Sequence, residues 1–180
     1  TDARELARST GDTKSEAQAW LGICTAQIYQ GDFAGATRSA EAAEAIARAA
    51  GLRLKIAQAV FVKGWNAFRT GDTETALAIG AEVIAICEEL DAKPLMAQGL
   101  NMLGGVHYTL GDYQQAGAMF GRASEILQDL GDRSQAMALV NNVGAVADAR
   151  GDYETAYRGY QEALHMAREI GLRDAEMLYL

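Results

Sequence analysis

The chain holds almost no proline; Pro94 is the only one. Nothing in its interior therefore interrupts long helices, because proline is the residue that removes a helical N–H and clashes with the preceding turn. Cysteine is nearly as scarce. Cys24 and Cys87 lie far apart and fit no paired spacing, which excludes a disulfide framework or a zinc knot. Each falls at a small-residue core position, so both are expected as buried reduced thiols, as suits a cytoplasmic protein. Histidine is limited to His107 and His165, on separate predicted helices. With no HExxH, no GxSxG and no glycine-rich phosphate loop, the residues supply no clustered nucleophile, base or metal ligand set. No enzyme activity, cofactor or metal is expected. No apolar run approaches the ~20 residues of a membrane span, and no signal peptide opens the chain. Positive charge is in deficit, 16 Lys and Arg against 24 Asp and Glu, for a net charge of −8. That balance excludes non-specific attraction to nucleic acid.

What the chain has is repetition. Gly111-Asp112-Tyr113 with Ala116 recurs as Gly31-Asp32-Phe33 with Ala36, Gly71-Asp72-Thr73 with Ala76, and Gly151-Asp152-Tyr153 with Ala156, 40 residues apart each time. A second series lies midway: Gly11, Gly51, Asp91, Gly131 and Gly171. Tandem self-similarity of this kind signals an array of stacked supersecondary units. Repeats are placed at about 13–52, 53–92, 93–132 and 133–171, in one array over 1–180. Residues 1–12 align with the tail of a preceding helix and 172–180 with the start of a following or capping one, as in a fragment of a longer array or one with degenerate caps.

Eight helices follow, at about 13–30, 33–50, 53–70, 73–90, 93–110, 113–130, 133–150 and 153–170. Glycine ends one helix by taking the left-handed conformation, and the next aspartate caps the opening N–H groups of its successor. Asp32, Asp72, Asp112 and Asp152 are read as caps and not as metal ligands. Pro94 stands just inside a helix start, where its missing N–H costs nothing. Turns of two or three residues require neighbouring helices to run antiparallel. Small residues recur where helices must approach closely: Gly64, Gly104 and Gly144 on first helices, and Ala36, Ala76, Ala116 and Ala156 on second helices.

Leu103-Gly104, Gly111-Asp112-Tyr113 and Ala116-x3-Phe120 resemble the tetratricopeptide repeat, whose pattern is W-x2-L-G-x2-Y, then A-x3-F. Val143-Gly144, Gly151-Asp152-Tyr153 and Ala156-x3-Tyr160 follow the same pattern. The first two repeats depart from it: Trp20 takes the Trp position, but Cys24 replaces the Gly and Gly80 the aromatic. The usual period is about 34 residues. The longer one here resembles the branch seen in kinesin light chain and in helical sensor arrays of bacterial signalling ATPases and transcription activators. The resemblance implies an all-α solenoid of antiparallel helix pairs in a right-handed superhelix, with first helices lining a concave surface. It also implies that His107 occupies a core aromatic position; His165 sits nearer the outer face.

The helix over 53–70 is apolar nearly all round. Val60, Gly64 and Ala67 form its core stripe; Phe61, Trp65 and Phe68 form a second. With Tyr29 and Tyr108 these rings are expected as one exposed aromatic patch in the groove, the kind of surface that marks a binding site. The alternative is that curvature buries part of the patch between adjacent first helices. Asn101, Asn141 and Asn142 add a polar rail, since an Asn amide both donates and accepts and can grip an extended backbone. Arg69 is read as the only groove cation, so the basic clamp of chaperone-binding relatives is absent. The expected function is a non-enzymatic protein- or peptide-binding scaffold, its partner a segment with apolar anchors. Two other readings stay open: a sensor or regulatory array of a larger signalling protein or transcription activator, and self-association into a homo-oligomer. No nucleic acid or membrane partner is expected.

Overall fold

The computed structural model describes residues 2–171, with side chains from residue 5 onward. Among the described residues nine helices and no strand are present. They are α1 Asp2–Thr10, α2 Thr13–Tyr29, α3 Phe33–Ala49, α4 Arg53–Arg69, α5 Thr73–Leu90, α6 Lys93–Thr109, α7 Tyr113–Asp129, α8 Arg133–Ala149 and α9 Tyr153–Glu169. The eight expected helices end within one residue of their expected bounds. Helix α1 packs on α2. The continuation expected over 172–180 lies outside the described residues.

The turns explain why the punctuation is so regular. Asp12, Asp32, Asp72, Asp112, Asp132 and Asp152 each accept a hydrogen bond from the N–H three residues on, at 2.8–3.2 Å. The same aspartate then donates its own N–H back across the turn, as Asp32 does to the Gln27 carbonyl (2.9 Å) and Asp112 to that of His107 (2.9 Å). One residue thus closes the helix behind it and opens the one ahead. The capping bonds hold the Asp12, Asp72 and Asp152 carboxyls below their ordinary acidity range. Two turns differ. Leu52 caps α4 with no side-chain bond. Asp91 ends α5 in the left-handed region at φ 49°, where the other turns use glycine.

The packing falls into two compact units, Thr1–Ala92 and Lys93–Leu180. Within the first unit, consecutive helices α1 to α5 pack in sequence, and α2 also touches α4. Its core is built on alanine: Ala36, Ala40, Ala43 and Ala47 line one face of α3 with no exposed surface. Their small size lets α2 and α4 approach α3 closely enough for the Cys24 thiol to donate to the Ala36 carbonyl at 3.4 Å. Arg53 at the start of α4 pairs with Glu89 at the end of α5, which fixes the antiparallel pairing. Lys63 (2.9 Å) and Arg48 (2.7 Å) flank Glu44, and Arg48 reaches Glu82 on α5 at 3.2 Å.

In the second unit α6, α7, α8 and α9 pack in sequence. Arg133 and Glu169 repeat the Arg53–Glu89 clasp at positions 80 residues on. Gly104 faces the Phe120 ring, and Gly144 faces Tyr160. Between α7 and α8 the Ser124 hydroxyl donates to the Ala136 carbonyl at 3.4 Å.

Candidate binding faces

In the first unit α4 carries most of the candidate residues. No residue from Lys55 to Phe68 is exposed; each is buried or half-buried. That enclosure matches an apolar helix wrapped by neighbours on several sides. Phe61, Trp65 and Phe68 form a continuous ring stripe, with centroids 6.2 Å apart for the first pair and 5.9 Å for the second, the latter edge-on at 66°. All three are half-buried, not exposed as the sequence suggested. Tyr29, at the end of α2, is 88% exposed. The Arg69 guanidinium stacks 4.3 Å from the centroid of Phe33, at the start of α3.

Two polar side chains on α4 were not singled out from the sequence. Asn66 is buried, and its amide nitrogen donates to the Phe33 carbonyl (3.1 Å) and to the Thr37 hydroxyl (3.0 Å). Its Oδ1 has no hydrogen-bond partner. Lys55 is half-buried and donates to the side-chain oxygens of Gln18 and of Gln58 (3.0 Å). Burial, then the charge of nearby Lys14, lowers its pKa. Lys55 thus links the first helices α2 and α4. A lysine at a polar first-turn position carries no pattern signal, whereas Asn66 interrupts an otherwise apolar helix and could have been noticed.

In the second unit Asn101 on α6 and Asn141 and Asn142 on α8 are half-buried. None of the three side chains makes a hydrogen bond or ion pair with another described residue. Tyr108, at the end of α6, is 40% exposed and leans on Tyr113 of α7, with centroids 5.5 Å apart at 60°. His107 is half-buried, its Nδ1 3.6 Å from Asp112 Oδ2. His165 is largely exposed, near Glu169 at 3.5 Å. Among the described residues no group of His, Cys, Asp and Glu is placed to hold a metal ion. None of the described helices is long and apolar enough to cross a membrane.

Glycine-ended, aspartate-capped helix pairs, with small residues at their crossings, define a helical-hairpin repeat scaffold. Residues 95–169 match the family model of the tetratricopeptide repeat, and that stretch is built of tetratricopeptide-type repeats. No curated protein matches it significantly in sequence. Among solved structures it is similar to BtubC (BKLC) from P. vanneervenii, at 22% identity and TM-score 0.78 over 88% of this chain and 65% of that one. A signal transduction ATPase with numerous domains and a tetratricopeptide repeat sensor, from Pyrococcus horikoshii, superposes at TM-score 0.83 and 19% identity, over 98% of this chain and 26% of that one. A Rap protein complexed with Competence and Sporulation Factor matches at TM-score 0.72 and 21% identity, over 86% of this chain and 42% of that one. The chain thus spans less than two thirds of each, and the likeness establishes the fold.

Proposed function

We propose that the chain is a non-catalytic scaffold that binds extended protein or peptide segments along the first helices of its repeats. The observation that carries this reading is the set of half-buried, unpartnered amides of Asn101, Asn141 and Asn142. These amides keep some contact with solvent, and an extended backbone, offering one donor and one acceptor per residue, can replace that water with direct bonds. In the first unit the stripe Phe61, Trp65, Phe68, flanked by Tyr29 and Arg69, would receive apolar anchors of the partner. Further burial of those rings stabilises a complex at ~25 cal/mol per Å². The structural likeness to a Rap conjugation gene regulator in complex with the Phr* peptide supports a ligand of this kind.

The test is selection of binders from a displayed library of unstructured peptides, followed by affinity measurement on two double variants. Asn101→Ala with Asn141→Ala, and Phe61→Ala with Trp65→Ala, are each expected to weaken binding about tenfold or more. Helical circular dichroism equal to that of the parent shows that the variants fold. Undiminished affinity in both folded variants overturns the reading.

A second reading is a sensor array within a larger signalling protein. It is favoured by the match over 98% of this chain to the ATPase with a tetratricopeptide repeat sensor. A thermal-shift screen against small metabolites separates the two: saturable stabilisation by a small molecule, with no peptide selected, favours the sensor.

A further inference from the structure

In the second unit, residues of α7, α8 and α9 together line a cavity of about 390 Å³. Val140 and Val143 of α8 give it an apolar wall. Gly121 of α7 leaves room beside them, since no atom lies within 4 Å of the Cβ it lacks. Two carboxylates face the same space, Glu125 from α7 and Glu162 from α9. Both are exposed, and neither makes an ion pair or side-chain hydrogen bond with another described residue. Arg158 also lines the cavity, but it is paired with Glu154 at 3.7 Å. An adjoining cavity shares Glu162 and is lined by Gln128 of α7.

The first unit shows what the same fold places at these positions. Glu44, Arg48, Lys63 and Glu82 stand 80 residues before Ser124, Gln128, Val143 and Glu162, which is two repeats. There Lys63 donates to Glu44 at 2.9 Å, and Arg48 donates to Glu82 at 3.2 Å. The second unit keeps the carboxylate of Glu162 and has neither cation. Val143 replaces the ammonium, and Gln128 replaces the guanidinium and donates to the Ser124 hydroxyl at 3.2 Å. Glu125, where the first unit has Ala45, adds a further negative charge.

We propose that this cavity receives a lysine or arginine side chain of a protein partner, which supplies the positive charge that the first unit carries in its own sequence. The aliphatic stem would lie on Val140 and Val143, with the charged head at Glu125 and Glu162. The head offers only donors and the carboxylates only acceptors, so the two are matched. An acidic side chain would be repelled, and a neutral one would leave both carboxylates uncompensated. A free polyamine fits less well, because it carries charge at both ends and would bring one of them to the apolar wall. None of these residues is used in the peptide reading, which concerns the first helices, so the two readings fail separately.

The test uses the full chain with isotope-labelled valine methyl groups. It is titrated with acetyl-Ala-Arg-Ala-amide, with its lysine and citrulline counterparts, and with spermidine. Saturable shifts at Val140 and Val143 are expected with the arginine or lysine peptide, while Val62 of the first unit stays unmoved. Glu162→Gln is expected to weaken that binding about fivefold, the scale of one exposed ion pair. Gln128→Arg restores the guanidinium that Glu82 meets in the first unit, and it should weaken binding as much by giving Glu162 an internal partner. Both positions are exposed, and an unchanged helical circular dichroism signal shows that the variants fold. Equal response to the citrulline peptide, an equal or stronger response to spermidine, or a matching shift at Val62 overturns the proposal. Unchanged affinity in either folded variant, or no shift at all, overturns it as well.

Discussion

Phe120 occupies the volume that a methyl group on Gly104 would need. A Cβ there would fall 2.6 Å from Phe120 Cε1 and 2.7 Å from Cδ1. Gly104→Ala is therefore expected to destabilise by ~1–3 kcal/mol in urea melts. Combining it with Phe120→Leu should cost less than the sum of the two single changes, because the smaller side chain yields the space. Gly121, on α7, has nothing within 4 Å of its missing Cβ. Gly121→Ala should stabilise by ~0.5–1 kcal/mol through helix propensity alone.

Asn66 ties α4 to the opening of α3. Removing its amide leaves the Phe33 carbonyl without that donor in a buried place. Asn66→Ala is expected to cost ~1–3 kcal/mol, read from the denaturation midpoint at unchanged slope. Asn66→Asp should cost more at neutral pH than at acid pH, since a carboxylate there would face the Phe33 carbonyl with no proton to give.

Glu44 makes the first unit acid-sensitive. Burial alone would raise its pKa, but the hydrogen bonds from Lys63 and then Arg48 outweigh it, and the net shift is below the ordinary 4.5. A carboxyl whose folded pKa is depressed contributes stability above its unfolded pKa and loses it as pH falls through the folded value. The parent should therefore lose stability below about pH 4.5. Glu44→Gln should be less stable at neutral pH and show a flatter slope in that acid range, measured by thermal melts across pH.

Cys24 and Cys87 are fully buried, and burial pushes both thiols up to about 11. At pH 8 both should resist Ellman's reagent in the native protein. Both should react promptly once urea unfolds the chain. Early reaction of one thiol alone would locate local opening at its helix.

The helices were legible because six of the stops are written twice, once as a left-handed glycine and once as a capping aspartate. Their spacing needed no knowledge of the packing. Asp91 is the informative departure: the period placed a turn there without glycine, and the backbone takes the left-handed conformation regardless. The ring stripe on α4 was legible as a stripe, from Phe61, Trp65 and Phe68 at helical spacing. Its degree of exposure was not, since that depends on how closely α2 approaches α4, which alanine and glycine content decide only in three dimensions. The partners of Arg69 and Lys55 were likewise hidden. Both are long side chains whose reach spans several turns, and one lies on Phe33 while the other lies between two glutamines.

The bonds that join one pair of helices to the next have a short reach along the chain. Phe33 with Asn66, Arg48 with Glu82 and Gln18 with Lys55 are separated by 33 to 37 residues. Each partner is thus synthesised within about one repeat of the other, and loop closure over such spans is inexpensive. A polypeptide leaving the ribosome can complete each of these links before the following forty residues exist, so assembly can keep pace with translation from the amino end.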